Sequence, residues 1–203
     1  MENNRKVGQA AGTVGSMTLV SRLLGFLRDL VIAMQFGATA AADAFFVAFR
    51  IPNVQRKILA EGAVTAAFIP IFSEVRNKRG DREAWDMTAN LFNILLTILV
   101  TSSLALAVFA PLVIMIFAPG FIDEPDKFDL TVHLTRWMAP YLLFIGLAVF
   151  FMGILNTFKV FALPAVTPAL LNICMITAAL LISPQLDEPI LGLVFGVLAG
   201  GFL

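Results

Sequence analysis

Apolar stretches of about 20 residues or more recur along this sequence, and they constrain its fold more than any other feature. A helix of about 20 apolar residues is long enough to cross the ~30 Å hydrocarbon core of a bilayer. Hydrophobic residues make up 59% of the chain and charged residues 14%, whereas soluble domains carry about 25% charged residues. The sequence therefore predicts an all-α integral membrane protein in which each apolar stretch forms a transmembrane helix.

The stretches predict five complete transmembrane helices and a truncated sixth. They cover approximately residues 12–36, 44–75, 87–117, 132–157, 163–182 and 190–203. The last stretch runs for about 14 residues, fewer than the roughly 20 that a span needs, so we expect the chain to end inside a helix. Asp43 is expected to cap or begin the second helix, and the polar stretch 76–86 is expected to be a solvated loop.

The basic residues of the loops predict which side of the membrane holds the N-terminus. If the loops alternate, one side receives Arg5, Lys6, Lys159 and the basic residues of 76–82, and the other receives Lys127 alone. By the positive-inside rule, the N-terminus is then cytoplasmic. The first apolar stretch is expected to remain as a span rather than to be cleaved as a signal peptide, because two arginines interrupt it and further spans follow.

Composition excludes several classes of function. The 14 basic and 14 acidic residues cancel, so no global electrostatic field attracts nucleic acid, and none is expected as a partner. His133 is the single histidine, which excludes a multi-histidine metal site, and Cys174 is the single cysteine, which has no partner for an intrachain disulfide. The sequence has no Asp-rich pair and no Gly-rich phosphate loop, so we predict a protein that is not an enzyme and binds no cofactor.

The stretch 21–62 is unusual because it places eight charged side chains inside two predicted spans. A charge at the centre of a membrane helix costs about 2.5–3.5 kcal/mol on insertion scales, so charges there normally face a partner or a water-filled cavity. The eight residues are Arg22, Arg28, Asp29, Asp43, Arg50, Arg56, Lys57 and Glu61. Helical periodicity places residues 22 and 29 on one face of the first helix, and residues 43, 50, 57 and 61 on one stripe of the second.

Three interpretations of these charges remain open from the residues alone. The charges could neutralise one another inside the bundle, as Lys57 and Glu61 can at a spacing of four. Arg50 and Lys57 could instead lie close enough to the membrane surface to extend into water. The third interpretation is a hydrated cationic cavity for an anion, because the planar guanidinium groups of the arginines suit phosphate or carboxylate.

Two motifs in this stretch carry a specific resemblance. SR-x-LGF-x-RD covers residues 21–29, and DAFFVAF-x-x-PN-x-x-R-x-x-x-AEGA begins at Asp43. Further along, APGF, PYLLFIGLAVFFMGILNTF and LPAVTPALLNI extend the similarity over essentially the whole chain. On these motifs the sequence resembles the N-terminal region of the MurJ (MviN) lipid II flippases, a family of the multidrug/oligosaccharidyl-lipid/polysaccharide (MOP) exporter superfamily.

The resemblance implies the N-terminal lobe of a two-lobed transporter in the bacterial cytoplasmic (inner) membrane. The family moves lipid II, an undecaprenyl-pyrophosphate-linked disaccharide pentapeptide, to the periplasmic leaflet by alternating access. The implied partners are lipid II, the bilayer and the C-terminal lobe of the same protein, which this chain lacks. The implied substrate-binding residues are Arg22, Arg28 and Arg56, and the implied gating or charge-balancing residues are Asp43, Glu61 and Asp29.

Two other functions remain as alternatives. A related exporter of the same superfamily could carry another polyprenyl-linked saccharide with the same fold. A membrane subunit that transports nothing would tolerate replacement of Arg22, Arg28 and Arg56 by alanine without an effect on cell-wall synthesis. A drug antiporter is disfavoured, because its cavity should be acidic, whereas the charges here are mainly basic.

Overall fold

The computed structural model describes residues 2–57, 68–158, 160 and 162–203, with side chains for 15–54, 68–158, 160 and 163–203. Every regular element within these ranges is helical, which confirms the all-α prediction for them. The α-helices are α1 (Glu2–Phe36), α2 (Ala40–Lys57), α3 (Ile69–Arg79), α4 (Asp81–Val108), α5 (Ala110–Phe117), α6 (Pro125–Thr157), α7 (Ala162–Thr177) and α8 (Ile190–Phe202). A π-helical turn at Ala178–Ile182 and a 3₁₀ turn at Ser183–Gln185 follow α7.

A tight turn joins α1 to α2 and corrects the predicted start of the second helix. Gly37 adopts a φ of 59°, which strongly favours glycine because it has no Cβ. The Thr39 hydroxyl accepts a hydrogen bond from the backbone N–H of Ala42 at 3.3 Å and so caps α2. Asp43 is therefore not the cap. It lies in the first turn of a helix that begins four residues before the predicted position, where its charge favours the helix dipole.

The polar stretch 76–86 is helical, so the prediction of a loop is wrong. It forms the end of α3 and the start of α4, which are separated by Gly80 at a φ of 94°. Within α3, Lys78 Nζ lies 2.8 Å from Glu74 Oε1 one helical turn away. Across Gly80, Arg79 Nη1 of α3 lies 3.5 Å from Glu83 Oε2 of α4. The side chains of these pairs are exposed, as predicted for a solvated segment.

The predicted span 87–117 is divided into two helices. α4 ends at Val108, and α5 begins at Ala110 after Phe109, whose φ and ψ are −92° and 15°. Pro111 has no backbone N–H, so it cannot donate the helical hydrogen bond to the carbonyl of Ala107. The prediction of one continuous helix is wrong because this missing bond allows the chain to break at Phe109, two residues before the proline.

Helix α6 is the centre of the bundle. It packs against α2, α4, α5 and α8, while α1 packs along α7 and α7 packs along α8. Leu134, Met138 and Tyr141 of α6 are completely buried in a cluster with Phe45 of α2 and Leu193 of α8. This arrangement places Arg22, Arg28 and Asp29 of α1 beside α7. A cavity separates this part of α1 from α6.

The outer surface of the bundle suits hydrocarbon. Within the described residues, three helical segments are long and apolar enough to cross a membrane, namely Asp81–Val108, Pro125–Thr157 and Leu163–Gln185. Large apolar side chains such as Phe26, Leu104 and Ile116 are more than 60% exposed. The predicted membrane class is confirmed by these features, whereas the count of five spans and a partial sixth stays a prediction.

Candidate anion-binding site

A single amide side chain joins Arg28 of α1 to α7. Arg28 Nη1 donates a hydrogen bond to Asn172 Oδ1 at 2.9 Å, and Asn172 Nδ2 donates to the carbonyl oxygen of Ser21 at 3.1 Å. Asn172 is only 6% exposed, so both of its hydrogen bonds are protected from competing water. Gly25 lies between the two contacts on α1, and a Cβ there would be 3.5 Å from Asn172 Nδ2. The amide therefore fixes two turns of α1 at once.

The remaining edge of the Arg28 guanidinium is occupied by its neighbour Asp29. Nε and Nη2 of Arg28 donate to the same oxygen, Oδ1 of Asp29, at 3.0 and 2.7 Å. The Arg28 side chain is 21% exposed, while that of Asp29 is 57% exposed. Adjacent helical residues project about 100° apart, so the long arginine side chain must bend to make this contact. The carboxylate holds the edge of Arg28 that suits a bidentate anion.

Arg28 lines a cavity of about 520 Å³ between α1, α2, α6, α7 and the end of α8. This volume falls within the range of about 300–1,000 Å³ that is typical of ligand pockets. Its polar lining consists of Arg28, Asn53, Thr167, Asn172 and Tyr141, and its apolar lining includes Phe49, Val149 and Pro168. A guanidinium among amides and hydroxyls, inside an apolar bundle, gives this cavity the chemistry of an anion site.

Arg22 borders a neighbouring hollow rather than the same cavity. This hollow, of about 410 Å³, is lined by Thr18, Ser21 and Arg22 of α1 and by Asn156, Pro164 and Pro168. Pro164 and Pro168 of α7 also line the cavity of Arg28. The two arginines of α1 thus face adjoining spaces along one seam between α1 and α7.

Asp43 pairs with a residue that the sequence did not connect to it. Lys127 Nζ donates to Asp43 Oδ2 at 3.0 Å, lies 3.7 Å from Glu124 Oε1 and stands 4.2 Å above the centre of the Phe121 ring. The Lys127 side chain is 11% exposed, whereas that of Asp43 is 59% exposed. Among the described residues, Asp43 is therefore paired where α2 and α6 begin, and it does not contact the arginines of α1.

Two of the sequence-predicted site residues lie beyond what the structure describes. The side chain of Arg56 and the whole of Glu61 are outside the described residues, so their roles stay predictions. Arg50 is exposed on α2. The structure therefore places Arg22, Arg28 and Asp29 on one seam and Asp43 apart from it.

Sequence reasoning missed Asn53 and Tyr141 as cavity residues. Asn53 Nδ2 donates to the carbonyl of Phe49 at 2.8 Å, directly after Pro52, which cannot donate a backbone bond of its own. Tyr141 is the single tyrosine of the chain and is completely buried on α6. Asn53 could have been identified as a polar residue that directly follows a proline inside a helix. Tyr141 could have been identified as the single tyrosine within an apolar helix. No group of three potential metal ligands occurs among the described residues.

Replacing Asn172 with leucine is expected to destabilise the protein and release Arg28. The change removes one hydrogen bond to a charged group and one to a carbonyl, a loss of about 2–4 kcal/mol in the free energy of unfolding. Unfolding of the full-length protein in detergent micelles would measure it. Thr167→Val is the matched control, because Thr167 lines the same cavity but, among the described residues, its hydroxyl donates to the carbonyl of Leu163 in its own helix and to no other helix. Equal losses for the two variants would contradict the role assigned to Asn172.

The fold and this site define a class of protein: a helical membrane protein with an arginine-lined polar cavity inside its bundle. A family model described as "Lipid II flippase MurJ" matches residues 32–203. The match covers most of the chain and includes α2–α8, although it begins after Arg28. The chain belongs to the MurJ lipid II flippase family.

Individual relatives agree with this assignment and extend it to α1. The "Lipid II flippase MurJ" of Burkholderia cenocepacia is 42% identical over 195 residues, which is 94% of this chain and 37% of that protein. The "Probable lipid II flippase MurJ" of Buchnera aphidicola from Schizaphis graminum is 37% identical over 190 residues, with the same two shares. A solved structure titled "Lipid II flippase MurJ, inward closed conformation" matches with a TM-score of 0.78 and 30% identity, over 93% of this chain and 40% of that one. The chain thus spans well under half the length of these proteins.

Proposed function

We propose that this chain forms the N-terminal lobe of a lipid II flippase of the bacterial inner membrane. The observation that carries the proposal is the Arg28 guanidinium, held by Asn172 at a polar cavity inside an apolar bundle. The names of the relatives supply the substrate, lipid II, whose pyrophosphate is an anion that a guanidinium can bind through two hydrogen bonds. The second lobe, which this chain does not contain, completes the cavity.

In this proposal Asp29 occupies the place of the substrate phosphate. Asn172 holds Nη1 of Arg28 and thereby orients the guanidinium, so that its Nε and Nη2 edge remains available for exchange. An incoming pyrophosphate displaces the Asp29 carboxylate, which is more than half exposed and can turn toward water. Exchange of one anion for another keeps Arg28 paired at every stage, which avoids the cost of an uncompensated charge inside the membrane.

The remaining charges take supporting roles in the same proposal. Arg22 faces the adjoining hollow and would bind the acidic groups of the sugar-peptide, together with Arg56. Asp43 and Glu61 would balance charge or gate the cavity, and Lys127 would hold Asp43 while the cavity is empty. Rocking of two lobes would then expose the headgroup to each leaflet in turn, as in other transporters built from two bundles.

The orientation of the chain follows from the same loops that the sequence identified. With the N-terminus in the cytoplasm, α1 ends on the periplasmic side, where Asp43, Lys127 and the acidic residues near 187 also lie. Arg28 then lies about 12 Å along the helix from Phe36, which is within the hydrocarbon core rather than at its surface. The lobe would comprise the six predicted spans.

Transfer of lipid II to the outer leaflet tests the proposal. Cells whose own flippase is depleted would receive the full-length protein that contains this chain, and a lipid II-cleaving hydrolase added outside would report accessible lipid II. We expect the protein to restore cleavage and growth, and cells with an empty vector to restore neither. If lipid II stays inaccessible while another polyprenyl-linked saccharide reaches the surface, the related-exporter alternative replaces this one.

A further inference from the structure

Arg136 of α6 supplies a hydrogen bond that the break between α4 and α5 leaves unmade. Pro111 leaves the Ala107 carbonyl without its helical donor, and Arg136 Nε donates to that oxygen at 3.2 Å. One turn away, the Ser103 hydroxyl donates to the carbonyl of Ala139 at 2.7 Å. These two hydrogen bonds run in opposite directions between α4 and α6, so they fix the guanidinium of Arg136 against the outer side of the bundle.

The same face of α6 presents a histidine whose tautomer follows from its partner. The indole N–H of Trp137 can only donate, and it lies 3.0 Å from His133 Nε2. In the neutral ring His133 Nε2 therefore carries the lone pair, which places the proton on Nδ1 as a hydrogen-bond donor. Trp137 is itself held by an edge-to-face contact with Phe195 of α8, with 6.3 Å between ring centres.

Several donors of this face are left for a ligand. Within the described part of the chain, Arg136 makes its one hydrogen bond through Nε, so Nη1 and Nη2 are not engaged there. His133 and Arg136 are three residues apart on a helix and project from the same side, and both are exposed. No carboxylate of the described residues forms an ion pair with Arg136. Arg136 and His133 therefore place hydrogen-bond donors on this face, which also carries the exposed Asp129 one turn before His133.

The position of Arg136 along α6 corresponds to the level of lipid phosphates. Residues 137–158 contain no charged side chain, and at 1.5 Å per residue they span about 33 Å, close to the thickness of the hydrocarbon core. Arg136 immediately precedes this segment, and Trp137 is the kind of aromatic residue that marks the membrane interface. Trp137 is 47% exposed and Phe109, two residues after Ala107, is 57% exposed, so large apolar side chains flank the guanidinium on the outer surface of the described bundle.

We propose that Arg136, with the Nδ1–H of His133, binds the phosphate of an anionic phospholipid of the phosphatidylglycerol type on the outer surface of the bundle. The guanidinium fork bonds two phosphate oxygens, the imidazole donates to the same headgroup, and Trp137 packs against the glycerol and the start of the acyl chains. This site lies on the other side of α6 from the Arg28 cavity and does not depend on the proposed transport function.

Quenching of Trp137 by brominated lipids tests the site directly. In the full-length protein, every other tryptophan would be changed to phenylalanine, and the protein would be placed in phosphatidylcholine vesicles containing brominated phosphatidylglycerol. We expect about a fivefold preference for phosphatidylglycerol at Trp137, the size that one basic side chain near an anionic surface provides. Arg136→Gln should abolish the preference, so that the ratio falls to about 1, and His133→Phe should lower the preference without abolishing it.

A second reporter and a second variant separate lipid binding from folding. A protein with Trp85 as its single tryptophan should show the same quenching with or without Arg136→Gln. Trp85 lies near the start of α4, whereas Arg136 contacts Ala107 near the end of α4. Pro111→Ala supplies the missing N–H to Ala107, so the double variant Pro111→Ala/Arg136→Gln should fold even if the single variant does not. If either glutamine variant keeps the phosphatidylglycerol preference at Trp137, Arg136 only caps the Ala107 carbonyl and the proposal is wrong.

Discussion

Replacing Arg28 with glutamate in the full-length protein is expected to abolish rescue of cells that lack their own lipid II flippase. The change removes the guanidinium that binds the pyrophosphate and puts a second carboxylate beside Asp29. Two charge-assisted hydrogen bonds to the anion are lost, at about 1.5–3 kcal/mol each, so lipid II exposure should fall by at least about 100-fold. Accessibility of lipid II to an external hydrolase measures this, with protein abundance determined by immunoblot.

Two further variants decide what a loss of activity means. Arg28→Gln keeps a donor and adds no charge, so it should fold even if glutamate disturbs α1, and it should still fail to transport. Arg82→Glu is the matched charge reversal, because Arg82 is exposed in the first turn of α4 and an acid there favours the helix dipole. Full activity of Arg28→Gln, or equal loss in Arg82→Glu, would remove the support for an anion site at Arg28.

Replacing Gly192 with alanine is expected to destabilise the protein by about 2–3 kcal/mol, whereas the same change at Gly146 is expected to be nearly neutral. A Cβ at Gly192 would lie 2.7 Å from the backbone nitrogen and 2.8 Å from the Cα of Ser183, atoms that move only with the backbone. A Cβ at Gly146 would lie 2.6 Å from Leu99 Cδ1, the end of a flexible side chain. Alanine also favours a helix by about 1 kcal/mol over glycine, which offsets the smaller strain at Gly146.

This comparison isolates the contact between α8 and the end of α7. Both positions are helical, both are buried, and the substitution is identical, so helix propensity and added apolar area are matched. Thermal unfolding of the full-length protein in detergent would measure the difference. Equal stability of the two variants would show that the turn at Ser183 relaxes easily, and would contradict the close packing described for it.

Much of the membrane architecture could be predicted because it depends on local chemistry. Long apolar stretches require helices wherever they cross hydrocarbon, since each backbone group must bond within its own segment. The cost of placing a charge inside an apolar helix is enough to identify Arg28 as a candidate site residue from the sequence alone. The break after Val108 was missed, although Pro111 was visible, because a proline permits a bend without deciding whether the helix continues.

Partnerships between distant residues could not be predicted in the same way. Asn172 is 144 residues from Arg28 and 151 from Ser21, and Lys127 is 84 residues from Asp43. Nothing in the spacing of these residues shows that α1 packs along α7, or that α6 begins beside α2. The sequence identified the charges that needed partners, and only the packing of the helices selected those partners.

The sequence by itself determined that this chain is a helical membrane protein that resembles the MurJ lipid II flippase family, and that the charges inside its first two predicted spans need partners, water or a bound anion. Only the tertiary structure decided that Asn172 orients Arg28, that Asp29 occupies its open edge, and that Asp43 is held by Lys127 instead. The physical reason is that burial cost is a property of each residue in its own helix. Hydrogen-bond partners, in contrast, depend on which helices pack together.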